Sequence, residues 1–221
     1  MAARVTSASG GPGVGLEYLR CDMTRSPRTT TTLAALAALA GLIAAVAQPA
    51  SARVSHSRQP CANAGMTVTA SDRGAAIAAV VCLINRQRTS RGLPALRVSA
   101  ALDRSAQEWS TEMVADNDFT HGADFGARIS AAGFDWSTAG ENIATGFTTP
   151  VSVVDGWMAS TGHCQNILSP QFAFVGTGVA LAGIRSVGTG SATWTQDFAL
   201  PARWRAPSRN SGPANHCPYT A

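Results

Sequence analysis

The chain has no lysine: all 17 basic residues are arginine, a compositional bias rather than a functional sign. From Arg53 onward 13 arginines meet 11 acids, a net charge of only +2. The loose cluster Arg203, Arg205 and Arg209 carries no interleaved aromatic motif, so no nucleic-acid partner is expected. Neither HExxH, nor a G-x-S-x-G elbow, nor a phosphate-binding glycine loop occurs, which removes three common enzyme chemistries. There is no internal repeat. No apolar run reaches the roughly 20 residues that a membrane span needs. The longest, residues 33–46, follows Arg25 and Arg28, gives way to Gln48 and Pro49, and is trailed by the small residues Ala50-Ser51-Ala52. That layout is a secretory signal, not a stable membrane anchor.

Residues 1–52 therefore read as leader and signal peptide, with Met23, just before the basic region, as an alternative start. Cleavage after Ala52 removes Cys21 and leaves Cys61, Cys82, Cys164 and Cys217. An even number in a secreted chain predicts two disulfides, in any of three connectivities. A Cys/His nucleophilic dyad from His163-Cys164 is disfavoured, because side chains adjacent in sequence generally diverge.

Residues 53–70 lack periodicity and read as an arm. A helix is expected from Ser71, a candidate cap, to Gly92 and Pro94, with Ile77, Val80, Val81 and Ile84 at helical spacing. Arg86, Arg88 and Arg91 near its end read as a solvated terminus that complements the dipole. A second helix runs from Ser99 to about Asp116, with Leu102, Ala106, Trp109 and Met113 on its buried stripe and Asp103, Arg104, Glu108 and Glu112 off it. A short third helix spans 127–132 and stops at Gly133. Thr149-Pro150 caps a fourth, whose buried side carries Val151, Val154 and Trp157 or Met158 and which ends near Gly162. His163 to Leu168 then forms a turn. Residues 172–182 and 192–200 read as antiparallel strands joined around Gly188-Thr189-Gly190. The glycines of the first strand point to a bulge or a close backbone approach. One α+β domain over residues 71–200 follows, with 201–221 as a tail.

The candidate chemistry lies in residues 119–168. Glu141 stands between Gly140 and Asn142, His163 follows Gly162, and His121 sits in Phe119-Thr120-His121-Gly122 past a helix end. Two histidines and a glutamate make a candidate metal or acid/base constellation.

Gly140-Glu141-Asn142-Ile143, Trp157, Ser160-x-Gly162-His163, Asn166-Ile167-Leu168, Val175-Gly176-x-Gly178-Val179 and Trp194-Thr195-Gln196-x-Phe198 follow Leu83-Ile84-Asn85-x-x-Arg88 in an order that resembles the CAP superfamily, in particular its bacterial SCP-like secreted members. The resemblance covers roughly residues 78–200. It implies an α-β-α sandwich with a central, mainly antiparallel sheet and a shallow cleft holding His121, Glu141 and His163. It also implies extracellular ligand binding, to a lipid, a peptide or a cell-envelope component. No cofactor is required on this reading, although the three residues could hold zinc. The alternative is a metal-assisted hydrolase with Glu141 activating a water. In the family a second acid lies three residues after the tryptophan, where this chain has Ser160; that departure is expected to weaken metal binding. Locality and the resemblance together favour pairing Cys61 with Cys82 and Cys164 with Cys217, which would bring His216 near His163.

Overall fold

The computed structural model describes residues 2–7, 60–188, 192–205 and 212–219. The chain divides into two units; Met1–Gly10 with Pro60–Ala221 forms the first. The second, Gly11–Gln59, lies outside the described residues, and with it the apolar run, the cleavage site and most of the arm.

A five-stranded sheet lies between two helical layers, as an α-β-α sandwich requires. Its strands are β1 (Ala2–Ser7), β2 (Arg97–Val98), β3 (Trp136–Thr145), β4 (Phe174–Ala180) and β5 (Thr193–Pro201). In space they run β1-β3-β5-β4-β2, antiparallel except for the short parallel β2–β4 pair. The helices are α1 (Arg73–Thr89), α2 (Ala100–Ala115), α3 (Phe125–Ala131), α4 (Pro150–Met158) and α5 (Thr161–Ile167). A single 3-10 turn, Pro213–His216, lies in the tail.

Alternation along the strands divides the core in two. Val175 and Val179 of β4 and Trp194 and Phe198 of β5 pack with Ile84, Val154, Trp157 and Ile167, from α1, α4 and α5. Ala139 and Ile143 of β3 turn the other way, towards Leu102 and Met113 of α2 and Phe125 and Ile129 of α3. Burying each large apolar side chain contributes about 1.5–3 kcal/mol, and Trp157 and Trp194 are wholly buried. Gly176 and Gly178 face α2, where an added Cβ would meet the backbone at Leu102 and Ala106. The β4 glycines thus serve close helix–strand approach, with no bulge in the β4–β5 register.

Several details correct the sequence-based expectations. The cap of α1 is Asp72; Ser71 instead donates its hydroxyl to the Asp72 carboxylate at 3.3 Å. Arg88 is not a solvated helix end. It is 1% exposed, donating Nε to the Pro94 carbonyl at 2.9 Å and Nη1 to those of Ile167 and Ser169 at 2.7 and 2.8 Å. Burial lowers its pKa to about 10. Asp103, read as lying off the buried stripe, accepts the N–H of Thr177 on β4 at 2.9 Å, and its neighbour Gln107 accepts that of Val179 at 3.1 Å. The fourth helix ends at Met158, and His163 and Gly162 lie inside a separate helix, α5, rather than a turn. Strands β1, β2 and β3 were not expected.

Other expectations hold. Thr149 caps α4 in a reciprocal box with Ser152, and Pro150 occupies its first turn. Cys61 is bonded to Cys82 and Cys164 to Cys217, each pair with α-carbons 5.8 Å apart. The second bridge, with the Tyr219 N–H donated to the Met158 carbonyl at 2.9 Å, ties the tail to α4 and α5. The expectation of no membrane anchor falls on residues 33–46, outside the described residues; among the described residues no helix is long and apolar enough to cross a membrane.

Candidate functional site

Adjacent strand residues point to opposite faces, so Glu141 and Asn142 divide the site between the two helical layers. Glu141 faces α2 and α3. Its side chain is fully buried, and each carboxylate oxygen has a basic partner at 2.6 Å: His121 Nδ1 on Oε1 and Arg128 Nη2 on Oε2. Burial of a carboxylate is tolerable only with such charge-assisted partners.

The loop that carries His121 is held from both sides. Trp109 of α2 donates its indole N–H to the Thr120 carbonyl at 3.0 Å, and Arg128 of α3 donates Nη1 to the His121 carbonyl at 3.0 Å. The Arg128 guanidinium also lies 3.7 Å from the centre of the Trp109 ring. Gly122 has φ of 66° and lies so close to Trp109 that a Cβ would stand 2.8 Å from the indole. Glycine at that position therefore answers both a left-handed backbone and a lack of space.

Asn142, on the other face, secures α5. It donates to the His163 carbonyl at 3.3 Å and to Gln196 Oε1 at 3.3 Å. Asn166 of α5 donates to Asn142 Oδ1 at 2.9 Å and to the Glu141 carbonyl at 3.1 Å. These bonds fix His163 beside β3. Its Nδ1 is hydrogen-bonded to Ser160 Oγ at 2.8 Å. The serine that stands in place of the family's second acid thus orients a histidine.

The structure joins His121 directly to Glu141 and connects His163 to them through the β3 backbone and the Asn142–Asn166 pair. His216, on the 3-10 turn, is exposed whereas His163 is buried.

Three residues of the site escaped the sequence reading. Arg128 fell within the third helix without a role, and Trp109 was read as core alone, which it is, without its contacts to the His121 loop. Asp197, on β5, is the Cα partner of Glu141 across the sheet and is 1% exposed. Burial first, and then the Glu141 charge, push its carboxyl well above the ordinary range. The Arg128 charge and Ser105 pull the other way without cancelling the rise. An acid inside a strand as buried as β5 was the available sign.

The donor set can be compared with what zinc needs. Catalytic zinc sites take three protein ligands and keep one position open. Here both Glu141 oxygens are already occupied, one by the Arg128 guanidinium and one by the His121 imidazole, so this carboxylate fits the place of a group behind a histidine rather than that of a ligand. Among the described residues no group of three or more His, Cys, Asp or Glu is placed to hold a metal ion. As placed, the residues do not fit a three-ligand zinc centre.

Comparison with known proteins bears on the same region. The model described as CAP, cysteine-rich secretory protein family, matches residues 81–198. The uncharacterized Bacillus subtilis protein YkwD is 39% identical over 124 residues, covering 54% of this chain and 45% of its own length. The crystal structure of an extracellular SCP-domain protein from Bacillus anthracis aligns with a TM-score of 0.51 at 26% identity, over 60% of this chain and 44% of that one. A cysteine-rich secretory protein from Staphylococcus aureus shares the fold, with a TM-score of 0.51 at 16% identity over 60% of this chain and 40% of its own. The chain thus spans less than half the length of each of these relatives.

Proposed function

Because the chain belongs to the cysteine-rich secretory protein family, CAP, we propose that it is a secreted binding module. The cleft at His121, Glu141 and His163 receives an extracellular lipid, peptide or cell-envelope component. The observation that carries this reading is the state of Glu141. A carboxylate with both oxygens held by His121 and Arg128 at 2.6 Å is a structural anchor that fixes an imidazole, not a base free to take a proton from water. His121, held by Glu141, and His163, held by Ser160, then act as oriented polar groups, and ligand specificity comes from what they present.

Secretion is supported by the signal in residues 33–52 and by the extracellular SCP-domain relative. The competing enzyme reading would have His121 and His163 hold zinc and Glu141 orient a water. It requires Glu141 to release Arg128.

The test is ligand retention by protein recovered from its own secretion medium, read by lipid and peptide mass analysis together with elemental analysis. Retained ligand that is lost in His121→Ala and His163→Ala, and that is indifferent to chelator, is the expected result. Stoichiometric zinc with a turnover abolished by chelator would replace the binding module with the hydrolase. Retention unaffected by all three alanine variants, Glu141→Ala included, would move the binding surface elsewhere.

A further inference from the structure

We propose that the outer edge of β3 is a docking edge for an extended peptide, which adds a strand to the sheet through its main chain. This deepens the binding-module reading and rests on it: the peptide is the ligand class, and its line of approach is the seam between the His121–Glu141 pair and His163.

The two sides of the sheet are finished differently. Beyond the short β2–β4 pair, the N–H groups of Thr177 and Val179 on β4 are taken by side chains of α2, Asp103 and Gln107; Gln107 also donates to the Val179 carbonyl at 3.2 Å. That side is closed by fixed parts of the domain. The β3 side is closed by main chain instead. Ala2–Ser7 pairs with it antiparallel, in unbroken register from Ala2 opposite Ile143 to Ser7 opposite Thr138. An edge strand closed by a separate extended segment is a template for strand addition.

The covering segment lies in the stretch that reads as leader. Its removal on secretion would leave six consecutive positions of β3, Thr138 to Ile143, without the partner they have here. Those positions include Glu141 and Asn142, the two residues that position His121 and His163. Main-chain pairing also defines the occupant's chemistry. It is a peptide of about six residues in extended conformation, without internal proline, because each proline removes a ladder donor. The segment Ala-Ala-Arg-Val-Thr-Ser meets that description.

The experiment uses the full chain and the variant Arg4→Pro/Val5→Pro. Alternate residues of an antiparallel strand direct their N–H to the partner, so one of these two prolines must remove a bond to β3. In the variant, amide exchange within residues 138–143 should speed up roughly tenfold or more, while β5 amides stay protected and report the intact fold. The acetylated, amidated hexapeptide Ala-Ala-Arg-Val-Thr-Ser should then bind saturably and restore the protection. The same peptide N-methylated at alternate residues should do neither. A gentler variant, Arg4→Gly/Val5→Gly/Thr6→Gly, should move the same amides in the same direction.

Unchanged protection of residues 138–143 in both variants, or hexapeptide binding that leaves those amides unprotected, would overturn the proposal. The two readings fail separately. Cleft ligand retained through the histidines while the hexapeptide never docks sinks the edge alone. A hexapeptide that docks while retention ignores both histidines sinks the cleft reading and leaves the edge.

Discussion

Glu141 and Asp197 are Cα partners across β3 and β5, two buried acids on one face of the sheet, and only Glu141 has a guanidinium as a direct partner. The groups that face Asp197 are Glu141 on β3, Arg128 on α3 and Ser105 on α2. Its carboxyl is raised by burial and by the Glu141 charge, so the folded state keeps its proton where the unfolded chain, at about 3.9, has lost it. The sign follows. This contribution is fully present below the unfolded pKa and is lost as pH rises towards the folded one.

Asp197→Asn, a mimic of the protonated acid, should therefore match the parent near pH 3 and exceed it progressively above pH 4. The gain should reach about 1–3 kcal/mol at neutral pH. Urea unfolding across that range checks it. A pH-independent difference would show that Asp197 is ionised in the folded protein.

The layers of the fold were legible because they rest on local pattern. Leu102, Ala106, Trp109 and Met113 sit at helical spacing and are buried as expected, and Thr149-Pro150 opens α4. Strand β3 was not legible. Its centre, Gly140-Glu141-Asn142, carries no apolar alternation, and the partners that let it be buried, Arg128 and Asn166, lie on separate helices. Arg88 failed for the same reason: its charge resembles a solvated helix end, and the carbonyls that bury it, at Ile167 and Ser169, come from the far side of the sequence. The two histidines and the glutamate were legible as a constellation from their own types and neighbours, and the family pattern put them in one cleft. The residues that orient them were not, because a guanidinium stacked on an indole leaves no periodic trace.

Arg128→Met should destabilise the protein by about 3 kcal/mol, because it leaves the Glu141 carboxylate buried with one partner fewer. The double variant Arg128→Met/Glu141→Gln should cost less than the sum of the single changes, since the glutamine carries no charge to strand. Thermal and urea unfolding of the four proteins close the cycle. Additive costs would mean that the 2.6 Å contact contributes nothing to stability.

The bridges differ in the length of chain they close, 21 residues for Cys61–Cys82 and 53 for Cys164–Cys217. Chain entropy makes the longer one more stabilising by about 0.8 kcal/mol, within contributions of about 2–4 kcal/mol each. Replacing both cysteines of a pair by serine and comparing urea midpoints tests the order. Loss of the second bridge should also free Tyr219 from Met158 and the tail from α5, which limited proteolysis would show as early cleavage near residue 212. A larger loss at Cys61–Cys82 would mean that pinning the arm onto α1 outweighs loop length.

Given small residues at Ala50 and Ala52 after an apolar run that breaks at Gln48-Pro49, protein from the medium should begin within a residue or two of Arg53. Intact mass of protein from the medium should show it, with Cys21 absent and no free thiol left among Cys61, Cys82, Cys164 and Cys217. The consequence reaches the sheet, because the same cut detaches Ala2–Ser7 from β3. Amides within residues 138–143 should exchange faster in the secreted form than in the full chain, while those of β4 and β5 should not. Recovery from the medium of a chain that retains residues 33–46 would refute the cleavage and leave β3 covered by its own leader.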